Sequence, residues 1–81
     1  MNIYEKLFIS KCPNNGEFIT YSLRVETADM IQVEHINTAC SLLKLAYHEV
    51  VADELFKRFG GLQTIKAHHH GVDITTIRGG A

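Results

Sequence analysis

No proline or glycine interrupts the segment from Val33 to Phe59, and this segment constrains the fold more than any other part of the sequence. Its apolar side chains recur at intervals of three and four residues, which is the period of an amphipathic helix. We predict two helices, or one kinked helix, with the change of direction near Ala46–His48. Gly60–Gly61 should end the helical region, and Lys57 and Arg58 are favourable in its last turn because they are basic.

A predicted β-hairpin precedes this helical region. Ile3–Ser10 and Phe18–Val25 are rich in β-branched and aromatic residues, and apolar and polar residues alternate in the second of them. The alternation places Tyr21 and Leu23 on one face of the strand. Between the strands, Cys12–Gly16 contains proline and Asn-Gly, which are typical of a turn.

A second predicted hairpin follows the helical region. Leu62–Ala67 and Val72–Ile77 have strand character, and His68–Gly71 would join them. Gly79–Ala81 should be a frayed tail. The element order is therefore ββααββ, and we predict an α+β subunit whose four-stranded antiparallel sheet carries two helices on one face.

Length and composition exclude several classes of protein. With 81 residues, the chain should form one domain spanning residues 1–81. Eight basic and nine acidic residues give a net charge of −1 without a basic cluster, so we expect neither a nucleic-acid nor a membrane partner. The N-terminus shows no signal-peptide pattern, so we predict a cytoplasmic protein whose two cysteines, Cys12 and Cys40, are reduced. Cys40 lies on the apolar helical line and should belong to the core.

The apolar content predicts an assembly of several copies. Apolar residues make up 46% of the chain, and one layer of helices cannot cover all of them. The predicted sheet also has two edges and a second face that need protection. Joining such sheets edge to edge into a barrel would satisfy these groups, so we predict a homo-oligomer.

Tyr47–His48–Glu49 stands where the second helix should begin, and together with the order ββααββ it resembles the tunnelling fold (T-fold). This superfamily includes dihydroneopterin aldolase, GTP cyclohydrolase I, 6-pyruvoyltetrahydropterin synthase and the 7-cyano-7-deazaguanine (nitrile) reductase of queuosine biosynthesis. The resemblance implies that subunit sheets join into a barrel. It also implies that a glutamate on a helix holds a purine- or pterin-like ring between subunits.

Two branches of the superfamily are the most similar to this chain. Tyr47–Phe59 followed by Gly71–Gly79 resembles the C-terminal half of dihydroneopterin aldolase. Three segments resemble the nitrile reductase, the QueF-like branch. Ser10–Glu17 is similar to its nucleophile segment, Tyr47–Glu49 to its aromatic-His-Glu substrate motif, and Gly71–Ile74 to a run in its last strand.

The resemblance to the reductase implies roles for individual residues. Cys12 would attack a 7-cyano-7-deazaguanine-like nitrile, and Glu49 would accept two parallel N–H groups of the ring. His48, or one of the loop histidines, could supply the proton. The chain also departs from both branches. Ile19 stands where the reductase has its acidic proton donor, and His69 stands about where the aldolase has a lysine. The resemblance implies NADPH, but the segment that carries the cofactor motif is shortened, so the sequence leaves the cofactor unknown.

Three consecutive histidines, His68, His69 and His70, form the most distinctive local feature of the sequence. We expect them to line the substrate pocket as a polar loop. On a strand, His68 and His70 would point to the same face and could bind zinc as neutral imidazoles. A third ligand could come from Cys12, His48 or His35. The zinc-ligand patterns of the cyclohydrolase and of the pyruvoyl-pterin synthase are not found, so we expect no metal.

Several functional hypotheses remain open from the sequence. The first is a nitrile oxidoreductase-like enzyme that resembles the 7-cyano-7-deazaguanine reductase and uses Cys12 as nucleophile. Because the acidic proton donor is missing and the cofactor segment is shortened, an amine could complete the reaction in place of a hydride. The second is a pterin enzyme similar to the aldolase, in which Cys12 would be dispensable. The third is a non-catalytic T-fold protein for binding or assembly. In that case Glu49 could be an ordinary carboxylate on a helix surface, and Cys12 a free thiol at a strand end.

Overall fold

The computed structural model describes residues 1–80, which form four strands and two helices. In chain order they are β1 (Asn2–Lys11), β2 (Phe18–Thr27), α1 (Val33–Ser41), α2 (His48–Phe59), β3 (Leu62–His69) and β4 (Val72–Gly79). The strands form one antiparallel sheet in the order β1-β2-β3-β4. The predicted α+β architecture with the order ββααββ is confirmed.

The segment Val33–Phe59 forms two separate helices. α1 ends at Ser41 and α2 begins at His48, so the break between them includes part of the predicted segment Ala46–His48 but begins earlier. α2 stops at Gly60, whose φ is 60° and whose N–H donates to the carbonyl oxygen of Phe56 at 2.8 Å. Glycine adopts this conformation at little cost, which explains why the helix ends there.

Both predicted hairpins are present, and their loops differ from the predictions in length. The β1–β2 loop, Cys12–Glu17, is closed by a hydrogen bond of 2.8 Å from the Cys12 N–H to the Glu17 carbonyl oxygen. The β3–β4 loop contains only His70 and Gly71, with φ values of 53° and 76°. Positive φ at both central residues is what a type I′ turn requires. The predicted loop His68–Gly71 was too long because His68 and His69 still pair with β4.

The hydrophobic core lies between the helices and one face of the sheet. Tyr21, Leu23 and Val25 of β2 are at most 1% exposed, which confirms the predicted alternation, and Leu55 of α2 is fully buried with them. Burying a large apolar side chain contributes roughly 1.5–3 kcal/mol, so this layer fixes α2 on the sheet. Cys40 is 3% exposed and belongs to the core, as predicted.

The opposite face of the sheet and its two edges are open. β1 and β4 are the edge strands, so among residues 1–80 each pairs with only one other strand. On the uncovered face, Leu7 and Ile9 are 67% and 59% exposed. These are the unprotected surfaces that the sequence predicted for a single subunit.

The C-terminal prediction was partly wrong. Gly79 is not frayed, because it pairs with Leu62 as the last residue of β4, and Ala81 lies outside the described residues. In the part of the chain that the structure describes, no helix has the length and apolar character needed to cross a bilayer.

Candidate active site

A cavity of about 290 Å³ lies where the first hairpin, the start of α2 and the covered face of the sheet meet. Four residues singled out from the sequence line it: Cys12, His48, Glu49 and His69. Most of the remaining wall is apolar, from Ile19, Ala46, Ala67 and Ile74, with Tyr21 and Tyr47 beside them. Its volume is near the lower end of the range for small-molecule sites, and the mixture of an apolar wall with a few polar groups is typical of them.

Backbone hydrogen bonds hold Cys12 beside the start of α2. The Lys11 N–H donates to the Lys44 carbonyl oxygen at 2.7 Å, and the Ala46 N–H donates to the Lys11 carbonyl oxygen at 3.2 Å. These bonds attach the end of β1 to the segment that enters α2. Cys12 is 5% exposed and lies in the cavity wall.

His48 is the first residue of α2, and its ring is packed between the helix and the sheet. Its Nε2 lies 2.7 Å from Thr76 Oγ1, and its ring centroid lies 5.4 Å from that of Tyr21. Its Nδ1 is buried and has no hydrogen-bond partner among the described residues. Burial lowers the pKa of His48, the charge of Glu49 raises it, and the charge of Arg78 lowers it. The resulting depression favours the neutral ring, which can accept a proton.

Glu49 follows His48 and reaches Arg78 on β4. Arg78 donates from Nη2 to Glu49 Oε2, and from Nε to Asp53 Oδ1 at 3.1 Å. Glu49 and Asp53 are one turn apart on α2, so one guanidinium bridges both carboxylates. The hydrogen bonds to Asp53 and Glu49 raise the pKa of Arg78, which keeps it charged. The Glu49 side chain is 69% exposed, so its carboxylate remains accessible to a ligand.

Two residues of this site were not identified from the sequence. Tyr21 lines the cavity, and its buried hydroxyl has no hydrogen-bond partner in the described structure. Burial raises its pKa, with a further contribution from Cys12. The alternation of β2 predicted its face but not the cavity above it. No pattern in the sequence pointed to Arg78, because its pairing with Glu49 depends on how β4 lies against α2.

The structure separates the three histidines that the sequence grouped together. His69 lines the cavity, whereas His68 lies on the other face of β3 with its Nδ1 2.7 Å from Asp73 Oδ1. His70 lies in the two-residue turn, so it does not share a strand face with His68. Its Nε2 is instead 3.7 Å from Glu17 Oε2. Of the expected pocket-lining histidines of this run, only His69 lies in the cavity wall.

The cavity wall gives little support for the nicotinamide cofactor implied by the resemblance. Among the described residues that line it, there is no lysine or arginine to contact a diphosphate. The nearby guanidinium of Arg78 is already shared between Glu49 and Asp53. At the position of the reductase's acidic proton donor, Ile19 is 5% exposed and forms part of the apolar wall. These residues do not fit NADPH.

Comparison with known proteins identifies a solved structure with a similar fold. No protein-family model matches the chain, and no curated protein matches its sequence. Among solved structures, the chain is similar to the archaeosine synthase QueF-Like in its apo form, with a TM-score of 0.72 at 17% sequence identity. The match covers 99% of this chain and 94% of that one. The chain therefore has the fold of that protein, which agrees with the fold that the sequence resemblance implied.

Proposed function

We propose that the chain is an enzyme that binds a purine- or pterin-like heterocycle and uses Cys12 to attack a nitrile of the 7-cyano-7-deazaguanine type. One observation carries this proposal. Cys12, from the first hairpin, lines the same cavity as His48 and Glu49, from the start of α2. These are the residues to which the sequence motifs assigned the nucleophile, the proton carrier and the ring anchor.

Glu49 would bind the amino-pyrimidine edge of the ring. A carboxylate has about four lone-pair sites, so Glu49 can accept two ligand N–H groups while Arg78 holds one oxygen. The apolar wall around Ile19 and Ile74 would exclude water from the ring faces. The unpartnered hydroxyl of Tyr21 supplies a further polar group for orientation.

The first chemical step is addition of the Cys12 thiol across the nitrile. Sulfur forms a bond to the nitrile carbon, one C–N π bond breaks, and the nitrile nitrogen gains the proton that the thiol gives up. The product is a covalent thioimide. His48 can carry this proton on its buried Nδ1, because that atom has no partner in residues 1–80 and burial favours the neutral ring.

An amine of the ammonia type would complete the reaction. It adds to the thioimide carbon, and the Cys12 sulfur leaves with a proton as the regenerated thiol. The product is an amidine, and no electrons are gained or lost overall. We favour this over reduction by hydride because residues 1–80 place no lysine or arginine in the cavity wall to contact a cofactor diphosphate. The solved structure with a similar fold is also that of a protein named a synthase and not a reductase.

The full site would lie between subunits of a homo-oligomer. The exposed edge strands β1 and β4, the open second face of the sheet and the exposed carboxylate of Glu49 support this proposal. Native mass spectrometry would give the number of subunits. A purely monomeric protein that still bound the heterocycle would contradict the interfacial site but not the cavity.

Intact-protein mass spectrometry with 7-cyano-7-deazaguanine tests the nucleophile directly. We expect one covalent adduct per chain, absent in Cys12→Ser and retained in Cys40→Ser, because Cys40 lies in the core away from this cavity. Ammonia should then release an amidine product. An adduct that persists in Cys12→Ser would overturn the assignment of the nucleophile. The assignment would also be overturned if the heterocycle raised the melting temperature of the protein but formed no covalent adduct.

A thermal-shift titration separates binding from chemistry. 7-Cyano-7-deazaguanine, guanine and neopterin are compared on the unmodified chain and on Glu49→Gln, because a ligand that binds only the folded state raises the melting temperature. A saturable shift that is lost in Glu49→Gln supports the ring anchor. Turnover of a pterin that survives Cys12→Ser would instead indicate the aldolase-like alternative, in which His69 occupies the lysine position. Binding without turnover of any kind would indicate a non-catalytic protein.

A further inference from the structure

We propose that Glu17, His69 and His70 form a binding site for a divalent transition-metal ion of the zinc type, at the tips of the two hairpins. One carboxylate oxygen and one imidazole nitrogen from each histidine lie within 4.8 Å of one another. Glu17 belongs to the β1–β2 loop, whereas His69 ends β3 and His70 lies in the β3–β4 turn. Cys12 is not among its ligands, so metal binding can be tested separately from the nitrile chemistry.

The separations between the ligand atoms suit a shared ion. Glu17 Oε2 lies 3.7 Å from His69 Nε2 and 3.7 Å from His70 Nε2. Two ligands that are each about 2.1 Å from a tetrahedral zinc ion are about 3.4 Å apart. A contraction of a few tenths of an ångström would therefore bring both carboxylate–imidazole pairs to this separation, and the two imidazole nitrogens lie within 4.8 Å of each other. The side chains of Glu17 and His70 are 53% and 60% exposed, so they have the freedom to make this adjustment.

His69 supplies a nitrogen that has nothing else to bind. Its Nε2 is buried and has no hydrogen-bond partner among the described residues, although the side chain is 23% exposed overall. A buried polar atom without a partner is energetically unfavourable, and a metal ion would satisfy it. Because His69 also lines the cavity, the ion would lie at the cavity rim.

Asn15 contacts His70 through its amide nitrogen, which selects the His70 tautomer with a lone pair on Nε2. The Asn15 Oδ1 accepts the backbone N–H of Glu17 at 3.0 Å, so its amide nitrogen is the atom facing His70 Nε2, at 2.7 Å. That amide can only donate, so His70 Nε2 must carry a lone pair rather than a proton. An ion would replace the exposed Asn15 amide as the partner of this lone pair.

The donor set indicates the class of metal. Two imidazoles and one carboxylate are a set that zinc accepts, whereas magnesium and calcium prefer oxygen ligands throughout. Three protein ligands leave one tetrahedral position for water or another small ligand. The ion would also connect the two hairpin tips beyond Tyr21↔Ala67, which is the last backbone pair between β2 and β3 on that side.

The test is a titration of the metal-free protein with zinc chloride, in which binding is measured by calorimetry and by the shift in melting temperature. We expect one equivalent per chain and a saturable rise in melting temperature. Glu17→Gln and His70→Ala should weaken binding at least about tenfold, since losing even an outer-shell partner of a metal ligand costs about 10- to 100-fold. Both side chains are exposed, so these variants should fold normally.

His68→Ala is the matched control, because it removes an adjacent histidine that points to the other face of β3 and pairs with Asp73. It should leave zinc affinity unchanged, and so should the Cys12→Ser, Cys40→Ser double variant, which removes both thiols. Equal weakening by His68→Ala and His70→Ala would indicate non-specific binding to the histidine run and overturn the site. Loss of binding in the thiol-free variant, or no binding in the unmodified chain, would overturn it as well.

Discussion

Arg78 of β4 donates a hydrogen bond to Glu49 in the first turn of α2, so the carboxylate proposed to hold the ring is itself held by the edge strand. Arg78 contacts Asp53 at the same time, and this second contact restrains its guanidinium. Without the contact to Arg78, the carboxylate of Glu49 would be a mobile group on the helix surface. The pairing with Arg78 gives Glu49 a defined direction.

We predict that Arg78→Ala weakens heterocycle binding by about tenfold, since a charged hydrogen bond that orients the carboxylate is lost. Asp53→Asn is the control, because it removes the other contact of Arg78 and leaves the bond to Glu49. It should have a smaller effect. The dissociation constants can be measured by calorimetry. Tighter binding in Arg78→Ala would show that Arg78 competes with the ligand instead of positioning Glu49.

Protonation of His48 should make stability depend on pH. Burial lowers its pKa in the folded state below the ordinary value of about 6.5, so the unfolded chain takes up this proton first as the pH falls. The contribution to stability is therefore complete above about pH 6.5. It should be lost as the pH falls from there and level off below the folded-state pKa.

Urea denaturation at several pH values, from about 8 to about 5, measures this dependence. His48→Gln should reduce the slope of unfolding free energy against pH in that window. His35→Gln, at an exposed position on α1, should retain it. An unchanged slope in His48→Gln would show that another group is responsible.

Gly79→Ala should be strongly destabilising, and more so than Gly71→Ala. Both glycines have positive φ, at 81° and 76°, so both substitutions carry a backbone cost of about 1–2 kcal/mol. At Gly79 the added Cβ would also lie 2.0 Å from the Gly61 carbonyl oxygen and 2.7 Å from Phe56 Cε1. At Gly71 it meets nothing within 4 Å.

The difference between these two variants isolates the steric overlap, which we expect to exceed about 1 kcal/mol. Thermal and urea denaturation of both proteins measure it. Equal losses of stability would mean that the end of β4 yields and that Gly79 is not closely packed in solution.

Local patterns in the sequence were sufficient to predict the elements. Alternation in β2 identified the buried side of Tyr21 and Leu23, and Gly60 marked the end of α2, because both effects depend on nearby residues. The length of the second turn was not predictable in this way. His68 and His69 could belong to a loop or to a strand, and their pairing with Asp73 and Val72 decided the matter.

Local sequence patterns were enough to predict the ββααββ order, the buried face of β2 and the motifs at Cys12 and at His48–Glu49, since periodicity, turn residues and short motifs are local properties. Which side chains contact one another across the chain is known only from the three-dimensional structure. The bridge from Arg78 to Glu49 spans 29 positions, and the cluster of Glu17 with His69 and His70 joins two hairpins. Such contacts follow from strand register and from the packing of α2 on the sheet, which no local pattern encodes.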